Sequence, residues 1–205
     1  MAKIKLTKGE LKQQRDALKQ FQRYLPTLQL KKQQLQLEIL HQENLLEQKI
    51  KQEELKRHAV LSWAGLLAEA PEELKSWIKI KEVFTESRNI AGVDIRVFLR
   101  AEFDPVEYDL FLTPLWVDVG VEALCALLSL AAEISVIEEG AKRLRAELRL
   151  TSQRVNLFEK VKIPEAEEAI RLIKIYIGDQ MANAVGRCKI AKRKIEESLY
   201  VEALA

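Results

Sequence analysis

The sequence predicts an all-α fold: a long antiparallel two-helix coiled coil with a small central region containing a short β-hairpin. Three observations lead there. A long segment at each end of the chain repeats apolar residues in steps of three and four, the period of a helix seam. Only seven Gly and five Pro punctuate 205 residues, and three of those prolines (Pro71, Pro105 and Pro114) fall together in the middle. Within that middle the apolar period changes to two, the mark of a strand.

The N-terminal segment, 1–70, reads as one helix from Leu6 to about Leu67, dense in Gln, Lys, Glu and Leu. Leu11, Leu18, Phe21, Leu25, Leu28 and Leu35 begin its stripe, and Ile39, Leu46 and Ile50 continue it. Pro26 lacks an amide hydrogen and crowds the preceding turn, so a bend is expected near Tyr24. In the C-terminal segment, 119–205, the residues Ile137, Ala141, Leu144, Leu148, Thr151, Val155 and Phe158 alternate four and three. Ile170, Ile173, Ile177 and Met181 resume the stripe after a break assigned to Pro164. At ~1.5 Å per residue, roughly 60 to 80 helical residues make a rod on the order of 100 Å long. One such helix buries no wide core by itself, so the two segments are expected to pair.

The central region, 71–118, holds Val93, Ile95, Val97 and Leu99 in alternation with Asp94, Arg96, Phe98 and Arg100, a strand preceded by a turn over Asn89–Gly92. Phe111, Leu112, Leu115, Trp116 and Val117 are expected to form either a second short strand or a segment packed on a helix.

Charge is laid out in three blocks. Residues 1–60 carry a net +6, residues 61–140 a net −9 and residues 141–205 a net +5, which the overall +2 conceals. If the ends fold back on each other, both basic blocks share one end and the acidic block takes the other, giving a molecule polarised along its length.

Several chemistries are excluded. The seven glycines are isolated from one another, so no phosphate-cradling loop exists. His41 and His58 are too far apart on one helix to share a metal at helical ligand spacing. Cys125 and Cys188 lie in no metal or redox motif, and a reducing, cytosolic setting is expected. Cys125 reads as a small buried residue, and Cys188 as a seam position between Ala184 and Ala191. No carboxylate pair sits in an apolar setting, so neither catalysis nor a cofactor is expected. The basic run Arg187, Lys189, Lys192, Arg193 and Lys194 contains no aromatic residue for base stacking, which argues against nucleic acid and for an acidic protein surface. The longest nearly apolar stretch, Ala123 to Ala132, is about half the length needed to span a bilayer, so a soluble chain without direct membrane insertion is expected.

The run Arg154-Val155-Asn156-Leu157-Phe158-Glu159-Lys160-Val161-Lys162-Ile163-Pro164, followed by Ile170, Ile173, Tyr176 and Ile177, resembles the signature of the D subunits of V-type ATP synthases (V/A-type ATPases). Leu28, Leu30, Lys31, Lys32 and Leu35 are similar to that family's N-terminal helix, and Asn89-Ile90-Ala91-Gly92-Val93 to the piece leading into its hairpin. The resemblance implies a non-catalytic central rotor shaft, with both termini inside the hexamer of A and B subunits. Its middle would meet two further subunits, F and the socket-like C (d in eukaryotes) on the membrane ring. The chain would be monomeric within the complex, cytoplasmic and peripheral to the membrane. On this reading Lys5, Lys8, Lys12, Arg15, Arg187, Lys192, Arg193 and Lys194 are candidates for touching the hexamer, and Val93, Ile95, Val97, Phe98 and Leu99 for touching a partner at the hairpin. Periodicity alone fits a generic coiled-coil scaffold or a peripheral membrane-remodelling hairpin equally well.

Overall fold

The computed structural model describes residues 5–69, 74–104 and 113–203. Helix α1 spans Lys8–Leu61, a 3-10 turn Ala64–Glu69 and a short helix α2 Leu74–Trp77 follow, strands β1 (Ile80–Ile90) and β2 (Val93–Phe103) come next, and α3 covers Val117–Leu157. A π-helical turn, Phe158–Lys162, leads directly into α4, Ile163–Ala203. The chain divides into two compact units, one formed by Met1–Gln29 with Gln153–Ala205 and the other by Leu30–Ser152.

An N-cap bond starts α1. The Thr7 hydroxyl oxygen accepts the Glu10 amide at 3.2 Å, while the Glu10 carboxylate accepts from Gln14 at 2.8 Å. The helix ends at Leu61, short of the expected Leu67. There the Ser62 hydroxyl donates to the Ala59 carbonyl at 2.7 Å and the Trp63 amide to the Val60 carbonyl at 3.2 Å, tightening the chain into a 3-10 turn. Pro26 lies inside α1, and the helix runs through it.

Along α1 the covered positions include Leu11, Gln14, Leu18, Phe21, Leu25, Leu28, Lys32, Leu35, Ile39, Gln42, Leu46, Lys49 and Glu53, alternating three and four throughout. Along the other course they include Ile137, Ala141, Leu144, Leu148, Thr151, Val155 and Phe158, then Ile163, Ala166, Ile170, Ile173 and Ile177. The single step of five, Phe158 to Ile163, falls across the π turn. A π turn accommodates one extra residue, so the covered face keeps its direction despite the irregular spacing. Pro164 supplies the reason for its place: lacking an amide hydrogen, it cannot serve the Lys160 carbonyl, and the Ile163 amide bonds back to Phe158 instead. The break expected at Pro164 is therefore a widened turn just before it, within continuous helix.

In the unit Leu30–Ser152 the core is Leu35 and Ile39 from α1, Ile95 from β2 and Leu144 from α3, with Ile90, Ala91, Val93 and Leu148 packed around them. Leu35 and Leu144 are fully buried, each such side chain stabilising by about 1.5–3 kcal/mol. Ion pairs Lys31–Glu147 at 2.7 Å, Lys49–Glu133 at 2.9 Å and Glu43–Arg145 at 2.6 Å join α1 to α3, which run in opposite directions within this unit. At one end of the unit the Trp63 and Trp116 rings meet at 6.4 Å, and Gly120 leaves room for the Trp116 ring.

The two strands pair antiparallel with Ile90 opposite Val93. Ala91 at φ 50° and Gly92 at φ 79° make a two-residue loop of the left-handed type that suits hairpin twist. Asn89 closes it, its Oδ1 accepting the Gly92 amide at 3.1 Å and its Nδ2 donating to Asp94 at 2.6 Å. The expected strand over Val93–Leu99 is present. Its partner is β1, which lies before the turn; Leu115 and Trp116 form a turn and Val117 starts α3, so they supply no strand, and Phe111 and Leu112 lie outside the described residues.

Candidate functional site

The hairpin residues split by depth. Ile95 is 2% exposed and belongs to the core, Val93 and Phe98 are half-buried, and Val97 and Leu99 stand out at 38% and 59%. Val93, Ile95 and Val97 share one strand face, covered near the turn and open farther along, and Leu99 stands in a bulge where the pairing passes from Thr85–Phe98 to Phe84–Arg100. Length explains the change in cover: an eleven-residue strand extends about 36 Å, whereas a helix is about 10–12 Å across. Beyond the bulge the same face is continued by the pair Phe84 and Arg100, the Arg100 guanidinium lying 4.8 Å from the centre of the Phe84 ring.

The eight basic candidates all belong to the unit of residues 1–29 and 153–205, and all are exposed. Lys192 and Arg193 pair with Glu196 at 3.7 Å and Glu197 at 3.4 Å one turn on, exposed contacts of little energetic weight. Arg187 donates to the Asn183 carbonyl at 3.4 Å. Among the described residues no hydrogen bond or ion pair joins the N-terminal four to the C-terminal four. Phe21 and Phe158 mark a common level in this unit, their rings 5.4 Å apart. Measured from there at ~1.5 Å per residue, Lys8 lies about 20 Å along its helix and Arg187 about 44 Å along its own. The two groups thus occupy different levels.

Helix α4 also carries apolar side chains that periodicity placed in the seam. Its covered stripe ends at Ile177; Met181 is 56% exposed and Cys188 is exposed as well, which corrects both seam assignments. Residues 8–29 of α1 form a shorter helical stretch than residues 153–203, so the end of α4 has no equal length of helix in its unit to lie on. Leu172, Ile175, Val185 and Ile190 are exposed on the same helix. Spacing placed Met181 and Cys188 in the seam; their exposure is read from the structure alone.

Cys125 is half-buried, and burial pushes its thiol above the usual range. Among the described residues no three His, Cys, Asp or Glu side chains are grouped to hold a metal. The helical course Val117–Glu197 is long and apolar enough to cross a membrane by length and composition, so the ten-residue stretch singled out in the sequence understates its apolar reach. Glu133, in that course, is ion-paired to Lys49 within the protein.

The sequence matches the family model for the D subunits of ATP synthases over residues 10–193. It is 48% identical to the V-type ATP synthase D subunit of Borreliella burgdorferi over 95% of this chain and 96% of that protein. The D subunit of the V-type ATP synthase of Chlamydia trachomatis serovar L2 is 34% identical over 96% and 98% of the two chains, and that of Chlamydia pneumoniae 32% identical over 94% and 93%. With nearly the whole of its length matched, its hairpin and its two long helical courses in order, the chain belongs to the family of ATP synthase D subunits.

Proposed function

We propose that the chain is the central rotor shaft of a V-type ATP synthase, coupling ATP synthesis or hydrolysis in the catalytic head to ion transport, with no catalysis of its own. The carrying observation is the sustained alternation of covered positions on α1 and on the α3–α4 course, which supports an antiparallel two-helix coiled coil. Knobs seated in a partner's holes resist twisting, so such a coil transmits torque over a distance that a loop does not. The functional division is 1–70 and 119–205 as the coil and 71–118 as the acidic central region.

The basic ends, Lys5, Lys8, Lys12 and Arg15 with Arg187, Lys192, Arg193 and Lys194, face the hexamer of A and B subunits, joined by the exposed apolar residues of α4. Val97 and Leu99 present the hairpin to the F subunit, with Val93 and Phe98 beside them and Ile95 holding the strand from within. The acidic central region meets the C subunit on the membrane ring. The shaft is one copy per complex, cytoplasmic and peripheral, and its apolar helix packs on protein without entering the bilayer. An asymmetric shaft contacts each site of a threefold head differently, and that difference biases each site between open and closed states.

A bead attached through a cysteine introduced at exposed Ser87 of the immobilised complex should turn on ATP addition, and a bead that stays fixed while ATP is hydrolysed overturns the shaft reading. Replacing Lys192, Arg193 and Lys194 by Gln should weaken head assembly or coupling; unchanged ATP-driven rotation removes the basic contact. A complex that keeps its F subunit when residues 89–103 are deleted removes the hairpin contact.

A further inference from the structure

The backbone ladder is defective on both helical segments of the unit 1–29 with 153–205, at nearly the same level. On α1, Pro26 offers no amide to the Gln22 carbonyl, and its ring crowds that oxygen. One residue on, the Thr27 hydroxyl donates to the Tyr24 carbonyl at 2.7 Å, a side-chain bond of the kind that bends helices. On the other segment the turn Phe158–Lys162 is π-helical, and Pro164 follows it with no amide for the Lys160 carbonyl. The Phe21–Phe158 ring stack ties the two places together, within two helical turns of every defect.

Packing is thin here. The seam positions Phe21, Leu25, Leu28, Phe158 and Ile163 are only half-buried, whereas Val155 before the π turn and Ala166, Ala169 and Ile173 after it are buried. Segments with few buried contacts and solvent-facing backbone bonds open locally at low free energy.

We infer that residues 21–28 and 157–165 form a soft joint, where the backbone bends and opens more readily than the helix on either side. The joint follows from the backbone bonding and does not depend on the shaft reading. Under that reading it is the place where a twisting load deforms the chain first.

Hydrogen exchange followed by mass spectrometry on the assembled complex containing the full-length chain tests this. Amides of 22–28 and 157–165 should exchange about tenfold faster than those of 32–39 and 144–151. Pro26→Ala restores a donor to the Gln22 carbonyl and should slow exchange in 22–28 severalfold while leaving 32–39 unchanged; Pro164→Ala should do the same for 158–163. Exchange in the wild-type joint as slow as in the reference segments overturns the inference, and so does indifference of both segments to the two substitutions. These readouts need no rotation, so a failed bead assay leaves them standing and the reverse holds too.

Discussion

Phe21 and Phe158 stack with their ring centres 5.4 Å apart and their planes 28° from parallel, joining the first helix to the turn where the second course widens. Offset stacking of this kind adds about 0.5–1.5 kcal/mol beyond the area it buries. In a double-mutant cycle of Phe21→Ala and Phe158→Ala, read by urea unfolding, the coupling energy should fall in that range. Additivity within about 0.3 kcal/mol would show that the rings merely lie near each other.

The pair Lys31–Glu147 is partly buried and links α1 to α3, so charge should set the relative position of those helices. Lys31→Glu alone should destabilise by up to about 1 kcal/mol, and adding Glu147→Lys should restore most of the loss. Both effects should shrink in 1 M salt, where screening reaches about 3 Å. A double swap no better than the single change would remove the ion pair as a determinant of register.

Two residues on β2 make opposite forecasts. Ile95→Ala empties a core position and should cost about 2–5 kcal/mol. Leu99→Ser alters an open position and should move the unfolding free energy by less than about 0.5 kcal/mol, while weakening capture of the F subunit. Equal losses of stability from both would mean that the hairpin packs along its whole length.

Glycine is required at the hairpin turn and dispensable in the helix. Gly92 sits at φ 79°, so Gly92→Ala should destabilise by about 1–2 kcal/mol through backbone strain, although its new methyl meets only Lys31 Nζ at 3.9 Å. At Gly140 a methyl would lie in ordinary contact with Ile95, at 3.8 Å, and helix propensity should raise stability by about 0.5–1 kcal/mol on Gly140→Ala. Thermal unfolding of both variants decides the matter, and the same sign for both contradicts it.

Glu168 receives two bonds from Arg171, at 2.8 and 2.6 Å, and these hold its carboxyl below the usual carboxylate range. A depressed folded value means that the contact favours the fold above the ordinary carboxylate range and is lost as pH falls through the depressed value. NMR titration should place Glu168 below the other exposed glutamates, and Arg171→Gln should return it to them. Because both side chains are exposed, acid unfolding should hardly change.

The stripe of α1, the strand Val93–Leu99 and its turn were all legible in the sequence, because each rests on a period or on residues suited to positive φ. Strand β1 was not: its Lys81, Glu82, Glu86, Ser87 and Arg88 hide the alternation, since a two-stranded sheet open to solvent needs no apolar face along its full length. The exposure of Met181 and Cys188 was illegible for another reason. A stripe states which side of a helix is apolar and is silent on whether anything lies against it.

The step of five across Phe158–Ile163 decides which residues look inward beyond it. In a helix wound regularly from Val155 and Phe158, Leu172 and Tyr176 would fall on the inner side; with one residue taken up at the widened turn, Ile173 and Ile177 fall there instead, and Leu172 and Tyr176 point out at 42% and 40%. Five residues of backbone thereby fix the azimuth of every side chain that follows, the distant basic run included.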